Sequence, residues 1–204
     1  VARRQPDRLL MRIIITRPEE DAAPLVTKLA ARKIDAVALP LLKIVPANSG
    51  PLPAGPFQAI CVTSANALRV VTPTPAMLQT PVLTVGPQSL SEAQARGYAK
   101  VSAHGGDVKG LAAYIAANLA PEAGPLLYLA GDQVSADLQG LLSQSGFTVQ
   151  KYVAYEAVPQ APEAFAEELG RADAVMLYSP RTAKIFAALI QERALENVAE
   201  SLTY

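Results

Sequence analysis

Short apolar runs alternate with segments of helical period along most of this chain. Ile13-Ile14-Ile15 is followed by Ala22, Leu25, Val26, Leu29 and Ala30, spaced as on one face of a helix. Residues 36–39 read as a second strand. Residues 59–62 lead to a helix over 66–71, and 82–85 lead to a helix over 88–96. A short strand near Val101 precedes a helix over 108–119, with Leu111, Ala112, Ile115 and Leu119 on one face. Residues 126–129 precede a helix over 134–145, with Leu138, Leu141 and Leu142 turned inward. The remainder reads as a helix over 162–169, a strand over 174–178 and a helix over 182–193. Apolar strands each answered by a helix predict an α/β fold, with parallel sheets covered on both faces.

Two segments break the rhythm. Residues 40–46 are extended and bracketed by Pro40 and Pro46, and residues 148–159 are longer than one strand needs. Four strand–helix units lie between them, enough for a sheet. The flanks hold too few strands to be stable apart but enough when joined. The pattern therefore predicts two small parallel-sheet α/β domains joined by a two-segment extended hinge. The first is discontinuous (12–39 plus 160–204), the second spans 47–147, and 40–46 and 148–159 are the crossovers. Paired connections of this kind permit a cleft between domains to open and close. The alternative, one continuous doubly wound sheet, needs neither irregular segment. Residues 1–11 read as an extension outside the fold.

Four strand ends share one design: Thr16-Arg17-Pro18, Thr63-Ser64-Ala65-Asn66, Val85-Gly86-Pro87-Gln88-Ser89 and Ser179-Pro180-Arg181. Each puts hydroxyls and unpaired backbone N–H groups at a helix N-terminus, where about half a positive charge resides. Such ends receive phosphate or carboxylate groups.

Composition narrows the chemistry. Lys plus Arg and Asp plus Glu are 18 each, with no basic block, which argues against nucleic acid. One Cys and one His cannot build a structural zinc site. Cys61, between Ile60 and Val62, reads as a core side chain, and His104 as a solvated loop residue in His104-Gly105-Gly106-Asp107. No apolar run approaches the ~20 residues of a membrane helix, and the start lacks a signal-peptide core, which argues for the cytoplasm. Neither a Gly-x-Gly-x-x-Gly nor a Walker-type motif stands at any joint, so a nucleotide-dependent enzyme is disfavoured.

The order Thr16-Arg17-Pro18, proline-bracketed crossover, Thr63-Ser64-Ala65-Asn66-Ala67, Val85-Gly86, Tyr155 and Ser179-Pro180 resembles the uroporphyrinogen III synthase family, from about Arg12 to the C-terminus. The resemblance implies a cytoplasmic two-domain enzyme with a deep cleft and no cofactor or metal. It implies hydroxymethylbilane, a linear tetrapyrrole with carboxylate arms, as the substrate. The terminal hydroxyl is lost as water and the ring closes with ring D inverted, through an azafulvene and a spiro intermediate. It further implies a monomer, in transient contact with the enzyme that makes the bilane, and no membrane or nucleic acid partner.

Read alone, Tyr155 is an aromatic packing at the crossover; the resemblance makes it the proton donor to the departing hydroxyl. A phenol with a pKa near ~10 is protonated at neutral pH and can donate in this way. Tyr152, three residues earlier, should face the opposite side of an extended strand and reads as structural. Thr63 and Ser64 read as helix caps that can also contact substrate. Thr16, Gly86, Ser89 and Ser179 are further substrate-binding candidates, with Gly86 allowing close backbone approach. Arg17 and Arg181 are carboxylate partners or surface charges; Lys43 and Lys151 lie on the crossovers. Many relatives carry Arg-Gly where this chain has Ala130-Gly131-Asp132, and Asp132 reads as the cap of the next helix. The chain stops where a further strand would begin, so the first domain is expected to be shortened or this to be a fragment. A non-catalytic anion- or tetrapyrrole-binding module on the same scaffold is the competing reading.

Overall fold

A computed structural model describes residues 11–203, so the expected leading extension lies, up to residue 10, outside the described residues. The elements run β1 (Arg12–Ile15), α1 (Glu19–Ala30), β2 (Asp35–Ala38), β3 (Leu42–Pro46), β4 (Ala59–Val62), α2 (Ala65–Val70) and α3 (Pro75–Gln79). They continue with β5 (Val82–Thr84), α4 (Pro87–Ala95), β6 (Val101–Ala103), α5 (Val108–Asn118), β7 (Leu126–Gly131), α6 (Leu138–Gln144) and β8 (Val149–Pro159). Last come α7 (Phe165–Arg171), β9 (Ala174–Met176), α8 (Pro180–Glu192) and α9 (Glu196–Ala199). Among the described residues the chain divides into two compact units, 11–43 with 158–203, and 44–157. No helix among them is long and apolar enough to cross a membrane.

The first unit holds a three-stranded parallel sheet in the order β2-β1-β9. Thr203 adds a parallel bridge to Ala174. Ile14 and Val175 pack with Leu39, Leu41, Phe165, Phe186 and Leu189 into one core, in which Phe165 meets Phe186 edge-on at 5.7 Å. Arg12 ties the start of β1 to its neighbours, with Nη2 2.6 Å from Glu168 and Nη1 2.9 Å from Asp35. The Glu168 bond holds the guanidinium pKa above its ordinary value against the cost of burial.

The second unit carries a sheet in the order β3-β8-β7-β4-β5-β6. β4 and β7 are buried at every position, as central parallel strands must be. Their alternating side chains supply two cores. Ala59, Cys61, Leu126 and Tyr128 face Leu111 and Ile115 of α5 and Leu138 and Leu142 of α6. Ile60, Val62, Leu127 and Leu129 face Ala67 and Leu68 of α2 and Ala93 of α4. From β4 the chain steps outward to β5 and β6, then returns to place β7 on the other side. The reversal leaves a crevice beyond the carboxyl ends of β4 and β7, where doubly wound sheets bind ligands.

Several expectations need correction. The helix expected over 134–145 begins at Leu138, because Asp137 caps it by accepting from Gly140 N at 2.9 Å. Asp132 is therefore not that cap; its Oδ1 accepts from Ala157 N at 3.3 Å. Tyr152 and Tyr155 do not face opposite sides. A bulge shifts the register from Ala130↔Val153 to Gly131↔Tyr155, and the extra residue reverses the alternation, so both rings join the same core. Short helices α3 and α9 have no clear periodic signal; Thr74 caps α3 by accepting from Met77 N. His104 is not a freely solvated loop residue: it stacks on Tyr114 at 3.3 Å, with Nε2 2.7 Å from Ser102 Oγ.

The turn from β6 into α5 depends on two glycines in contact. Gly105 has φ +75°, and a Cβ on Gly110 would stand 2.5 Å from Gly105 Cα. The obstructing atom belongs to backbone, so the turn itself would have to move. Gly110→Ala is expected to lower the unfolding free energy by about 1–3 kcal/mol, as overpacking does. Urea unfolding checks this, and a midpoint equal to wild type would contradict it.

Candidate functional site

A pocket of about 410 Å³ opens at the carboxyl ends of the second unit's strands. Thr63 and Ser64 enter from the end of β4, Asp107 from the turn before α5, Gly131 and Gln133 from the end of β7, and Tyr155 from β8. Three positions singled out from the sequence, Thr63, Ser64 and Tyr155, are thus brought together. Gly86 and Ser89 are not among its lining residues, although their neighbour Val85 is. Gly86 caps α4 in extended geometry, with open space where a Cβ would be, and Ser89 is buried in the first turn of that helix.

Tyr155 takes its position from three local constraints. The bulge turns its side chain toward Gly131. A Cβ at residue 131 would stand 2.7 Å from the ring's Cζ and 2.9 Å from its hydroxyl oxygen, so the ring occupies space only glycine leaves. The segment is then pinned by two bonds to one residue: Asp132 N donates to Tyr155 O at 2.9 Å, and Asp132 Oδ1 accepts from Ala157 N. Asp132 thus anchors the strand that carries the tyrosine.

Tyr128 was not a sequence candidate, since its place within an apolar strand reads only as core. It is 1% exposed, and its hydroxyl meets Thr63 Oγ1 at 3.1 Å, joining β7 to β4 across the crevice. Burial raises its pKa, and the Thr63 bond partly opposes that. Tyr128 is therefore a neutral phenol. Either hydroxyl of this pair can donate to the other. Ser64 caps α2, accepting from Asn66 N at 3.3 Å. Cys61 lies fully buried deeper along β4, its thiol pushed up to about 12 by desolvation.

The first unit gathers the other candidates at the carboxyl ends of β1 and β9. Thr16 is buried and donates to Met176 O at 2.6 Å, a bond between the two strands. Arg17 pairs with Asp21 at 3.2 Å and lies 5.1 Å over the ring of Tyr178. Ser179 caps α8, accepting from Thr182 N at 3.1 Å, and Pro180 and Arg181 follow in the first turn. Tyr178, 39% exposed beside Arg17, is the residue here that sequence reasoning passed over; an aromatic directly after a strand was the available signal. Lys43 and Lys151 are exposed on the crossover strands. Among the described residues, no group of three or more His, Cys, Asp or Glu is gathered as a metal site requires.

A family model described as uroporphyrinogen-III synthase HemD matches residues 23–203. Among solved structures, uroporphyrinogen-III synthetase from Helicobacter pylori 26695 is similar with a TM-score of 0.59 and 18% identity, over 88% of this chain and 78% of that one. A selenomethionine-labelled mutant of uroporphyrinogen III synthase from the extremely thermophilic bacterium Thermus thermophilus gives a TM-score of 0.50 at 12% identity, over 89% of this chain and 76% of that one. At such identities the likeness establishes the fold. Among curated proteins no sequence matches significantly.

The clash at residue 131 falls on the far end of a side chain, so Gly131→Ala is expected to move the Tyr155 ring rather than the backbone. A crystal structure of the variant should show the ring displaced from the pocket with the β7–β8 register kept; an unmoved ring would contradict this. Cys61 is expected to resist a thiol reagent such as DTNB in the native protein and to react once the chain is unfolded. Rapid labelling of the folded protein would contradict its burial.

Proposed function

This chain belongs to the uroporphyrinogen-III synthase family, and we propose that its second unit holds the reacting end of the substrate in the pocket beside Tyr155. The activity is the cyclisation of hydroxymethylbilane to uroporphyrinogen III, with loss of water and inversion of ring D, in haem biosynthesis.

The reaction needs a leaving group helped away and a ring held turned over. A bilane can close unaided without inverting ring D, so the enzyme's contribution is largely one of geometry. Tyr155 is the donor in the pocket suited to the first task. Its phenol is fixed by the Gly131 vacancy and the Asp132 bonds, and it gives its proton to the hydroxyl oxygen as the carbon–oxygen bond breaks. Thr63, paired with the Tyr128 hydroxyl, and Ser64, at the start of α2, hold the terminal ring through their hydroxyls. The observation that carries this reading is the shared pocket: the Thr63-Ser64 pair and Tyr155, far from it in sequence, line one cavity at the switch point of the sheet.

The acetate and propionate arms need anion contacts beyond that cavity. Arg17, Ser179 and Arg181, grouped with Thr16 at the strand ends of the first unit, are the proposed partners, together with the backbone around Gly86 and Ser89. The extended segments 40–46 and 148–159 are proposed as the hinge between the domains. The chain is read as a cytoplasmic monomer. Because free bilane closes wrongly on its own, direct transfer from the enzyme that makes it would protect the outcome.

Incubation with freshly prepared hydroxymethylbilane is expected to give the type III isomer, resolved by chromatography after oxidation; type I alone would defeat the reading. Tyr155→Phe should lower kcat by about 100-fold, within the range for loss of a general acid. Gly131→Ala should fall with it, since both remove the phenol from its place. Full activity in Tyr155→Phe would remove the tyrosine from the chemistry.

A further inference from the structure

The sign of the charge in this pocket restricts which part of the substrate it can hold. Among the described residues that line it, Asp107 is the single side chain carrying a full charge, and that charge is negative. The substrate is a polyanion. An anionic side chain in a cavity built for one of its carboxylates would repel it, at a cost that grows as water is displaced. The same carboxylate is favourable beside a group that donates N–H bonds or becomes positive.

The reacting ring does both. As the hydroxyl leaves, the carbon–oxygen bond breaks with its electron pair on oxygen, and the Tyr155 hydroxyl supplies the proton that completes water. The pyrrole nitrogen lone pair delocalises toward the methylene carbon, leaving a cation shared between nitrogen and carbon. Ring closure bonds that methylene to the substituted α-carbon of ring D, giving a spiro intermediate; that carbon's bond to its old methylene then breaks, the old methylene bonds to the free α-carbon of ring D, and the proton released from that carbon returns to the phenolate. The net change is loss of one water. Between the two steps positive charge is present on the ring, and among the described lining residues only Asp107 carries a charge to meet it.

The position of Asp107 is well defined. It is the N-cap of α5, and its Oδ1 accepts from Gly110 N at 2.7 Å. That bond fixes the carboxylate through one oxygen in a residue that lines the cavity. The contact of Gly105 with Gly110 holds the turn tight enough for residues 106–108 to reach the cavity wall. Capping accounts for Asp at this position; its place in the wall of the cavity that holds Tyr155 is a second fact.

Resting on the reading of the pocket given above, we propose that Asp107 stabilises the cation formed on the terminal pyrrole as the hydroxyl leaves, and that this cavity admits the ring itself and excludes its carboxylate arms. Asp107→Asn tests this with the cap retained, because Asn serves as well as Asp at that position; Asp107→Ser is a second variant that also caps. Steady-state kinetics with hydroxymethylbilane, isomer analysis and thermal melts are measured for both. The expected result is a kcat lowered roughly tenfold or more, as for loss of a preorganised electrostatic partner. KM should stay within about twofold, since the charge is felt in the transition state rather than in ground-state binding. Melting temperatures should match wild type.

A lower KM with kcat retained would show that an acidic arm sits beside residue 107, and would overturn the proposal. So would unchanged kinetics, or a loss of kcat that follows a loss of melting temperature, which would leave Asp107 with capping alone. A wild type that gives only the type I isomer removes the underlying reading and this inference with it. A wild type that gives type III while Asp107→Asn is indistinguishable from it removes the inference only.

Discussion

The space left by the absent side chain of Gly131 is the constraint on which the candidate site depends. Tyr155 is a large ring near the end of a long strand, and nothing in its own sequence neighbourhood aims it. The ring lies where a Cβ on β7 would stand, and the bulge at residues 153–155 turns it toward that gap. Asp132 then fastens the strand at Tyr155 O and Ala157 N. Apart from the Asp132 carboxylate bond these are backbone-level features, so the phenol is held by elements that are rigid because they belong to the sheet. A site that works by positioning needs this kind of support, since small displacements of a donor cost much of its effect.

Around that ring the strand order does the rest. The reversal between β4 and β7 opens a crevice because the connections leave in opposite directions, and the Tyr128–Thr63 hydrogen bond spans it. The polar groups in the crevice are supported from below by fully buried strands, among them Cys61, whose thiol is unavailable for chemistry. Neutral donors dominate the lining, with Asp107 as the one formal charge among the described residues that form it. A polyanionic substrate would be met here by its uncharged reactive ring, and its acidic arms would be met elsewhere. Arg17 and Arg181 of the first unit are the carboxylate partners proposed above, and Arg17 is held by Asp21 and Tyr178.

Much of the fold was legible in the chain. Apolar strands answered by helices of period 3.6 gave the α/β class and parallel sheets, because burial on both faces leaves no polar alternation to read. Thr63-Ser64 and Ser179-Pro180 announced strand-to-helix joints through capping chemistry, which is local and so survives in sequence. Where the competition between two caps mattered, local reading failed. Asp132 and Asp137 are equally good caps on paper, and α6 starts at the second because the first is drawn into the β7–β8 pairing.

The sequence by itself determined which residues could serve: hydroxyls at helix starts, a phenol on a long strand, and little charge to spare. Tertiary structure alone decided which of them meet. It chose Thr63 and Ser64 over Gly86 and Ser89 as pocket walls, brought Asp107 to the same cavity and the Tyr128 hydroxyl to Thr63, and placed Tyr152 and Tyr155 on one face. The reason is physical: helical period and capping are encoded within a few neighbouring residues. A one-residue bulge and a vacancy on the adjoining strand act only between segments that pairing has already placed side by side.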